Sequence, residues 1–277
     1  MTSNTSLPIR SALFVPGNRP ERFAKALASA SDTIIIDLED AVDDENKTEA
    51  RENIHRFLAQ NPDASVVVRI NSATHVEHLD DLALCASNAQ IKAVILPKAE
   101  SRRQVDQVAD TGKAVWPLIE SAEGMAQLDD IAQAHNVERL TYGALDMAVD
   151  LGLKAGTPAA ERMFDQVRFA MVLASARYKL AAALETVFPN ISDVEGLKAF
   201  AENALCMGMG GMLCIHPAQA AVANEAFSPT AEEIIWAQEI LEVAKTAPAA
   251  FRLNGKMVDA PVIAHAARIL RNAGKLN

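Results

Sequence analysis

The sequence lacks any apolar run as long as a membrane span, and Met1–Ser6 lacks the apolar stretch of a secretory leader. Neither a helical membrane protein nor a secreted one is therefore expected. Cysteine is scarce: Cys85, Cys206 and Cys214 are odd in number, scattered and set in apolar segments. That excludes a disulfide scaffold and reads as reduced core thiols of a cytoplasmic protein. The six histidines show no paired ligand spacing, which argues against zinc, and no G-x-S-x-G elbow is present. Basic residues are outnumbered, 26 against 36 acids, for a net charge of −10. A nucleic-acid or anionic-membrane surface is thus not expected, although a local basic cluster can still hold a small anionic ligand. There is no low-complexity linker and no sequence repeat.

What is present is an alternation. In a chain of 277 residues, half of them apolar, eight short apolar runs recur: Ala12–Val15, Thr33–Leu38, Val66–Ile70, Ala93–Leu96, Val115–Ile119, Leu140–Tyr142, Leu184–Val187 and Met212–Ile215. Continuous stretches such as Ile34-Ile35-Ile36 suit parallel strands buried on both faces. Helical patterns lie between them, over Glu21–Ala30, Lys47–Gln60, Val76–Ser87, Arg102–Thr111, Gly124–His135, Ala159–Leu180 and Val194–Met207, with Pro217–Ala226 as the eighth. Eight such units close most naturally into a (β/α)8 TIM barrel, expected over residues 7–227. Residues 228–277 form a C-terminal helical extension, serving as packing trim, lid or oligomer arm. It comprises a helix over Ala231–Thr246 after Ser228-Pro229-Thr230, a connection Gly255–Pro261, and a helix over Val262–Ala273. Met207–Gly211, though glycine-rich, precedes its strand and reads as a helix stop.

The centre of the chain is Val115–Asp146, a strand–helix–strand stretch in which one run ends at Glu120 and the next leads to Asp146. Two carboxylates at neighbouring strand ends, with no basic residue between them, repel unless a proton or a cation intervenes. Hard oxygen donors suit Mg2+, which takes one or two carboxylates and fills its shell with water and substrate. The other runs also end in polar residues: Pro16-Gly17-Asn18-Arg19, Asp37-Leu38-Glu39-Asp40, Arg69-Ile70-Asn71, Pro97-Lys98 and His216-Pro217. In a barrel these ends share one mouth. His216 reads equally as a pocket residue or a capped structural one.

The motifs in chain order resemble one family. Arg10–Gly17 (R-S-A-L-F-V-P-G), Asp37–Val42 (D-L-E-D-A-V), Arg69–Asn71 (R-I-N), Leu96–Glu100 (L-P-K-A-E), Ile119–Gly124 (I-E-S-A-E-G), Tyr142–Asp146 (Y-G-A-L-D), Asp193–Leu197 (D-V-E-G-L) and Ile215–Gln219 (I-H-P-A-Q) look like the HpcH/HpaI aldolase and citrate lyase β-subunit family. They are nearest its citrate lyase β-like branch, which includes citramalyl- and malyl-CoA lyases. The resemblance implies a Mg2+-dependent, trimeric or hexameric barrel enzyme that cleaves or forms the C–C bond of a 3-hydroxy-acid thioester. It implies Glu120 and Asp146 as metal ligands, Glu120 also meeting substrate, and Arg69 as the substrate-binding arginine. It further implies Glu39 and Asp40 as holders of metal-bound water, and Asp259 as an acid–base residue delivered to a neighbouring subunit. Asp259 reads equally as the cap of the last helix. Where family members often carry Glu before the metal-binding Asp, this chain has Leu145, so substrate identity does not carry over. Arg19, Arg22 and Lys25, at the mouth of the first βα unit, are the candidate cations for the phosphates of a CoA substrate. Alternatives of other kinds are an aldolase acting on free hydroxy-oxo acids and a subunit active only with an acyl-carrier protein.

Overall fold

The computed structural model describes residues 8–276; the reading of the first six residues falls outside them. The chain divides into two compact units, Ile9–Ala226 and a second that comprises the residues from Phe227 onward with Pro8.

In the larger unit eight parallel strands close a barrel, each paired with the next and the last with the first. They are β1 Ser11–Pro16, β2 Thr33–Asp37, β3 Val66–Arg69, β4 Ile91–Leu96, β5 Ala114–Ile119, β6 Thr141–Tyr142, β7 Leu184–Glu185 and β8 Gly211–Cys214. The isoleucine run of β2 is at most 1% exposed, as expected for strands covered on both faces. Alternation sorts the side chains. Ile35, Val67, Ala93, Ile95, Trp116, Leu118, Leu184 and Leu213 pack with Ala12 in one cluster. Residues two positions beyond these share their face at the carboxyl ends of the strands. By that parity Asp37, Arg69, Glu120 and Thr186 belong to the mouth.

The surrounding helices are α1 Phe23–Leu27, α2 Lys47–Gln60, α3 His78–Ser87, α4 Arg102–Ala109, α5 Ala122–Ala126, α6 Leu128–Ala132, α7 Ala144–Asp150, α8 Pro158–Tyr178, α9 Val194–Met207 and α10 Pro217–Ala226. Those of α2 and α9 match the sequence reading at both ends, and α2 buries Ala50, Ile54 and Leu58 on one stripe. Three readings need correction. The helix expected over Gly124–His135 is two short helices that meet at Gln127, whose ψ of 7° interrupts the turn. The run Leu140–Tyr142 reads as ending in a glycine-containing turn before Asp146, and that segment is instead the start of α7. Of the cysteines, Cys85 and Cys214 are buried and burial raises their thiol pKa values, that of Cys214 to about 12, but Cys206 is exposed.

In the smaller unit α11 Ala231–Ala244 begins with a capping box from Thr230 and Glu233. α12 Ala260–Asn272 contacts it, and Ala237, Ile240, Ala266, Ile269 and Leu270 form a core with Val258. The connection read over Gly255–Pro261 is partly strand: it enters an antiparallel hairpin of β9 Phe251–Leu253 and β10 Lys256–Val258. Its two-residue turn, Asn254-Gly255, has φ of 50° and 78°, the left-handed pair that Asn-Gly favours. Asp259 caps α12, accepting from the Val262 amide at 3.4 Å.

Candidate functional site at the barrel mouth

The register of β2 on β3 sets Asp37 beside Arg69. The guanidinium donates to both oxygens of that carboxylate, Nε to Oδ1 at 2.7 Å and Nη2 to Oδ2 at 2.6 Å, and lies over the Phe14 ring, 4.8 Å from its centroid. The remaining nitrogen, Nη1, is 2.7 Å from Glu39 Oε2 and 3.7 Å from Asp40. The contact to Glu39 is an ion pair without hydrogen-bond alignment, since that oxygen has no hydrogen-bond partner. Burial works against the charge of Arg69, but Asp37, Glu39 and Asp40 outweigh it and hold the group cationic. Arg69 was expected to face substrate with its fork. The structure shows that fork already filled by Asp37, an acid that the sequence reading grouped with its neighbours but did not single out.

Glu39 follows β2 and is 6% exposed, whereas Asp40 is exposed. The other oxygen of Glu39 accepts from Lys98 Nζ at 2.9 Å. Lys98 follows β4 with a φ of 50°, uncommon for a side chain with a Cβ and found often where function fixes the backbone. Its backbone N–H donates to Glu120 Oε1 at 2.8 Å. Lys98 therefore touches both acids, one with its backbone and one with its ammonium. Among the described residues no lysine or arginine side chain bonds the expected pair, Glu120 and Asp146, and Lys98 reaches Glu120 only through its backbone. The signal was in view, a lysine closing a strand run, but only the register shows what it reaches. Burial pushes Glu39 above the usual carboxylate range despite Arg69 and Lys98.

Glu120 follows β5 and is 4% exposed. Burial, chiefly, pushes its carboxyl up to about 8; the charges of Glu39 and Asp146 add to this and contacts from Lys98 oppose it. Its room comes from β6: a Cβ at Gly143 would lie 2.5 Å from Glu120 Oε2. A side chain at this position would displace that carboxylate from where it now sits. Asp146 stands in the first turn of α7 and is exposed. The start of α7 is tied to the sheet, with the Ala144 N–H donating to Thr186 Oγ1 at 3.1 Å. Asp150 at its other end accepts from Ala122 N at 2.6 Å, bracing α7 against the start of α5.

Glu39, Asp40, Asn71, Ser72, His75 and Lys98 line a cavity of about 450 Å3. Arg19, Arg22 and Lys25 are exposed on the segment after β1, Arg22 lying 3.9 Å from Glu21. His216 is exposed, its Nδ1 accepting from Ala218 N. Asp259 belongs to the smaller unit.

The donor set can be tested against a hard divalent cation. Among the described residues no three His, Cys, Asp or Glu side chains gather to hold a metal. Two carboxylates do stand in each other's field, one in a glycine-lined recess and one on the rim. That is the donor number and type with which Mg2+ leaves most of its shell to water and substrate, so the residues fit.

A citrate lyase subunit beta-like protein of Mycobacterium tuberculosis is 38% identical over 266 residues, covering 95% of each chain. An L-malyl-CoA/beta-methylmalyl-CoA lyase of Cereibacter sphaeroides is 30% identical, over 96% of this chain and 95% of that one. The crystal structure of CitE from M. tuberculosis, in complex with magnesium, acetoacetate and coenzyme A, superposes with a TM-score of 0.81 at 35% identity. It covers 96% of this chain and 98% of its own. The family model for HpcH/HpaI aldolase/citrate lyase matches residues 10–217, the span of the barrel that carries the Glu39–Glu120 cluster. This chain belongs to the HpcH/HpaI aldolase/citrate lyase family.

Proposed function

We propose that the chain is a Mg2+-dependent carbon–carbon lyase that cleaves a 3-hydroxy-acid thioester into an acetyl thioester and an oxo-acid. The observation that carries the proposal is the pairing of buried Glu120 with exposed Asp146 beside two fixed cations, Lys98 and Arg69. The match to a solved relative that holds magnesium, acetoacetate and coenzyme A supports it.

Glu120 and Asp146 would hold the metal. When bound, the ion supplies Lewis acidity to the hydroxy-carboxylate end of the substrate. The chain's own residues do the remaining work. Glu120 must shed its proton to bind a cation, and the Lys98 amide then keeps one carboxylate oxygen in place. Glu39 and Asp40 would accept hydrogen bonds from water bound to the cation. As the carbon–carbon bond breaks, negative charge moves onto the thioester carbonyl, and cations already fixed in place stabilise it most. Arg69 Nη1 is the part of its fork not bound to Asp37, and although it is ion-paired with Glu39, that nitrogen is the one this proposal gives to the substrate. Arg19, Arg22 and Lys25 would take the phosphates of a CoA thioester, as an acidic chain needs local cations there. Asp259 would serve the acetyl half as general acid–base from a neighbouring subunit of a trimer or hexamer. The compartment proposed is the cytoplasm.

The test is turnover of citryl-, citramalyl- and malyl-CoA by the purified chain with Mg2+ and with a chelator. Release of acetyl-CoA and the matching oxo-acid, abolished by chelation, is expected for at least one substrate. Release of free CoA without an oxo-acid would mark a thioester hydrolase instead. Cleavage confined to acyl-carrier thioesters would assign the chain to a larger complex, and cleavage confined to free hydroxy-oxo acids would mark an aldolase. For Asp259, mixing an Asp259→Ala chain with an Asp146→Asn chain should restore activity in the hybrid oligomers. Confirmed hybrids without activity would exclude action between subunits.

A further inference from the structure

Lys47, the first residue of α2, is 4% exposed. Its ammonium donates to three backbone carbonyls, those of Leu38 at 3.0 Å, Glu39 at 3.1 Å and Val42 at 3.1 Å. The nearest carboxylate, Asp44, is 3.8 Å away and mostly exposed. An ammonium has three N–H donors, and all three are spent on one loop. Burying a charge is costly unless it is fully hydrogen-bonded, so a lysine here is a specific device rather than a surface residue that has folded inward.

The loop it gathers runs from Leu38 to Val42. Its other side is held by the Asp37 carboxylate, which accepts from Glu39 N at 3.0 Å and Ala41 N at 3.1 Å. Between the two clamps Glu39 has little freedom. Its carboxylate is aimed at Arg69 Nη1 and Lys98 Nζ, and Lys98 in turn fixes Glu120 through its amide. A continuous chain of contacts thus runs from Lys47 through the loop and Glu39 to the candidate metal ligand. Lys47 has no donor left for a ligand, although it borders the same cavity as Glu39 and Lys98.

We propose that Lys47 is a positioning residue of the metal site, acting through Glu39 rather than touching substrate. The proposal rests on the reading of Glu120 and Asp146 as Mg2+ ligands. Residues one contact removed from a metal's ligands commonly change affinity by roughly 10- to 100-fold when replaced, and Lys47, which stands further back and acts through Glu39, is expected at the lower end of that range. Lysine is suited to the place because its donors converge from one nitrogen on three acceptors. The planar arginine fork spreads its donors and does not reproduce that geometry.

The experiment is calorimetric titration with Mg2+ alone, without substrate, of the wild type, Lys47→Met, Lys47→Arg, Glu39→Gln and the double variants. Circular dichroism and the melting temperature monitor the fold. The expected result is about tenfold weaker Mg2+ binding in both Lys47 variants and in Glu39→Gln. A double variant should bind no more weakly than Glu39→Gln alone, because Lys47 acts through that residue. Lys47→Arg guards against a folding failure of Lys47→Met, since it keeps the charge. The inference is overturned if a folded Lys47 variant binds Mg2+ like the wild type, or if the Lys47 and Glu39 losses add in full. It is also overturned if neither Lys47 variant folds, for then the residue is needed for the fold itself. A wild type that binds no Mg2+ overturns the metal reading and the inference together. Intact wild-type binding with unaffected variants overturns only the inference.

Discussion

The two sides of the barrel mouth are built differently. On the β2–β5 side Asp37, Glu39 and Glu120 are each 6% exposed or less; Arg69 and the Lys98 ammonium pair with Asp37 and Glu39, and Glu120 accepts from the Lys98 backbone N–H. On the β6–β8 side the rim exposes Leu145 at 54%, Val149 at 82% and Ile215 at 39%, with Asp146 as its carboxylate on α7. The first side spends its charges on one another and is fixed before any ligand arrives. The second leaves one acid and apolar surface uncommitted. Preorganised charge suits stabilising a transition state, while an open apolar rim suits contact with the body of a substrate.

The largest expected effect comes from the open side. Asp146→Asn is nearly isosteric and exposed, so the melting temperature should stay within about 2 °C, the shift of a surface change in a chain this size. Metal-dependent turnover should nevertheless be lost. A Mg2+ titration unchanged in this variant would remove Asp146 from the site.

On the committed side, stability and activity should fall together. Arg69→Lys breaks the two-point bond to Asp37, and removing one partner of a buried pair costs about 3–5 kcal/mol. Turnover should drop by roughly 100-fold or more, the scale of losing one donor to a developing oxyanion. Asp37→Asn separates the roles, because it frees the fork without removing the guanidinium. If Asp37→Asn loses stability but retains most turnover, Arg69 Nη1 serves the substrate as proposed. If both variants lose turnover equally, Arg69 acts only by holding the loop.

The contrast also governs how readable each side was. The strand ends on the β2–β5 side were legible because charges interrupt apolar runs at Asp37, Arg69 and Glu120. What joins them was not, since pairing depends on register, and nothing in Leu96–Glu100 says that Lys98 adopts a left-handed backbone and binds Glu120 through its N–H. On the other side Y-G-A-L-D reads as a turn, because Gly143 punctuates it. The Glu120 carboxylate that lies against Gly143 comes from the end of the neighbouring strand. In the smaller unit Asn254-Gly255 is a hairpin signal, but flanking strands of only three residues carry too short an alternation to mark a hairpin. The barrel itself followed from eight buried runs, a pattern that tertiary contacts reinforce rather than override.

A moderate effect is expected from pH. Without metal, Glu120 titrates near 8 in the folded chain, well above its ordinary value, so the native state holds a proton that the unfolded chain has released. Stability from this group is full below the unfolded value of about 4.3 and is lost as pH rises through about 8. Thermal melts of the metal-free protein from pH 5 to 9 should show the decline, and saturating Mg2+ should reverse it at the alkaline end. Mg2+ affinity should rise with pH over the same window as the competing proton leaves. Equal melting temperatures across the range would contradict the protonated recess.

The smallest effect is expected at the apolar rim. Val149→Ser should leave stability within about 0.5 kcal/mol and kcat unchanged, while raising KM a fewfold if the rim contacts the substrate. An unchanged KM would leave the rim without a part in binding.

The most direct measurement of the central claim is anomalous scattering from crystals soaked in Mn2+ as a substitute for Mg2+. A single peak at the mouth, within coordination distance of both Glu120 and Asp146 and absent from Asp146→Asn crystals, is the expected result. A peak elsewhere, or none in a chain that still turns over, would contradict the assignment of these two carboxylates.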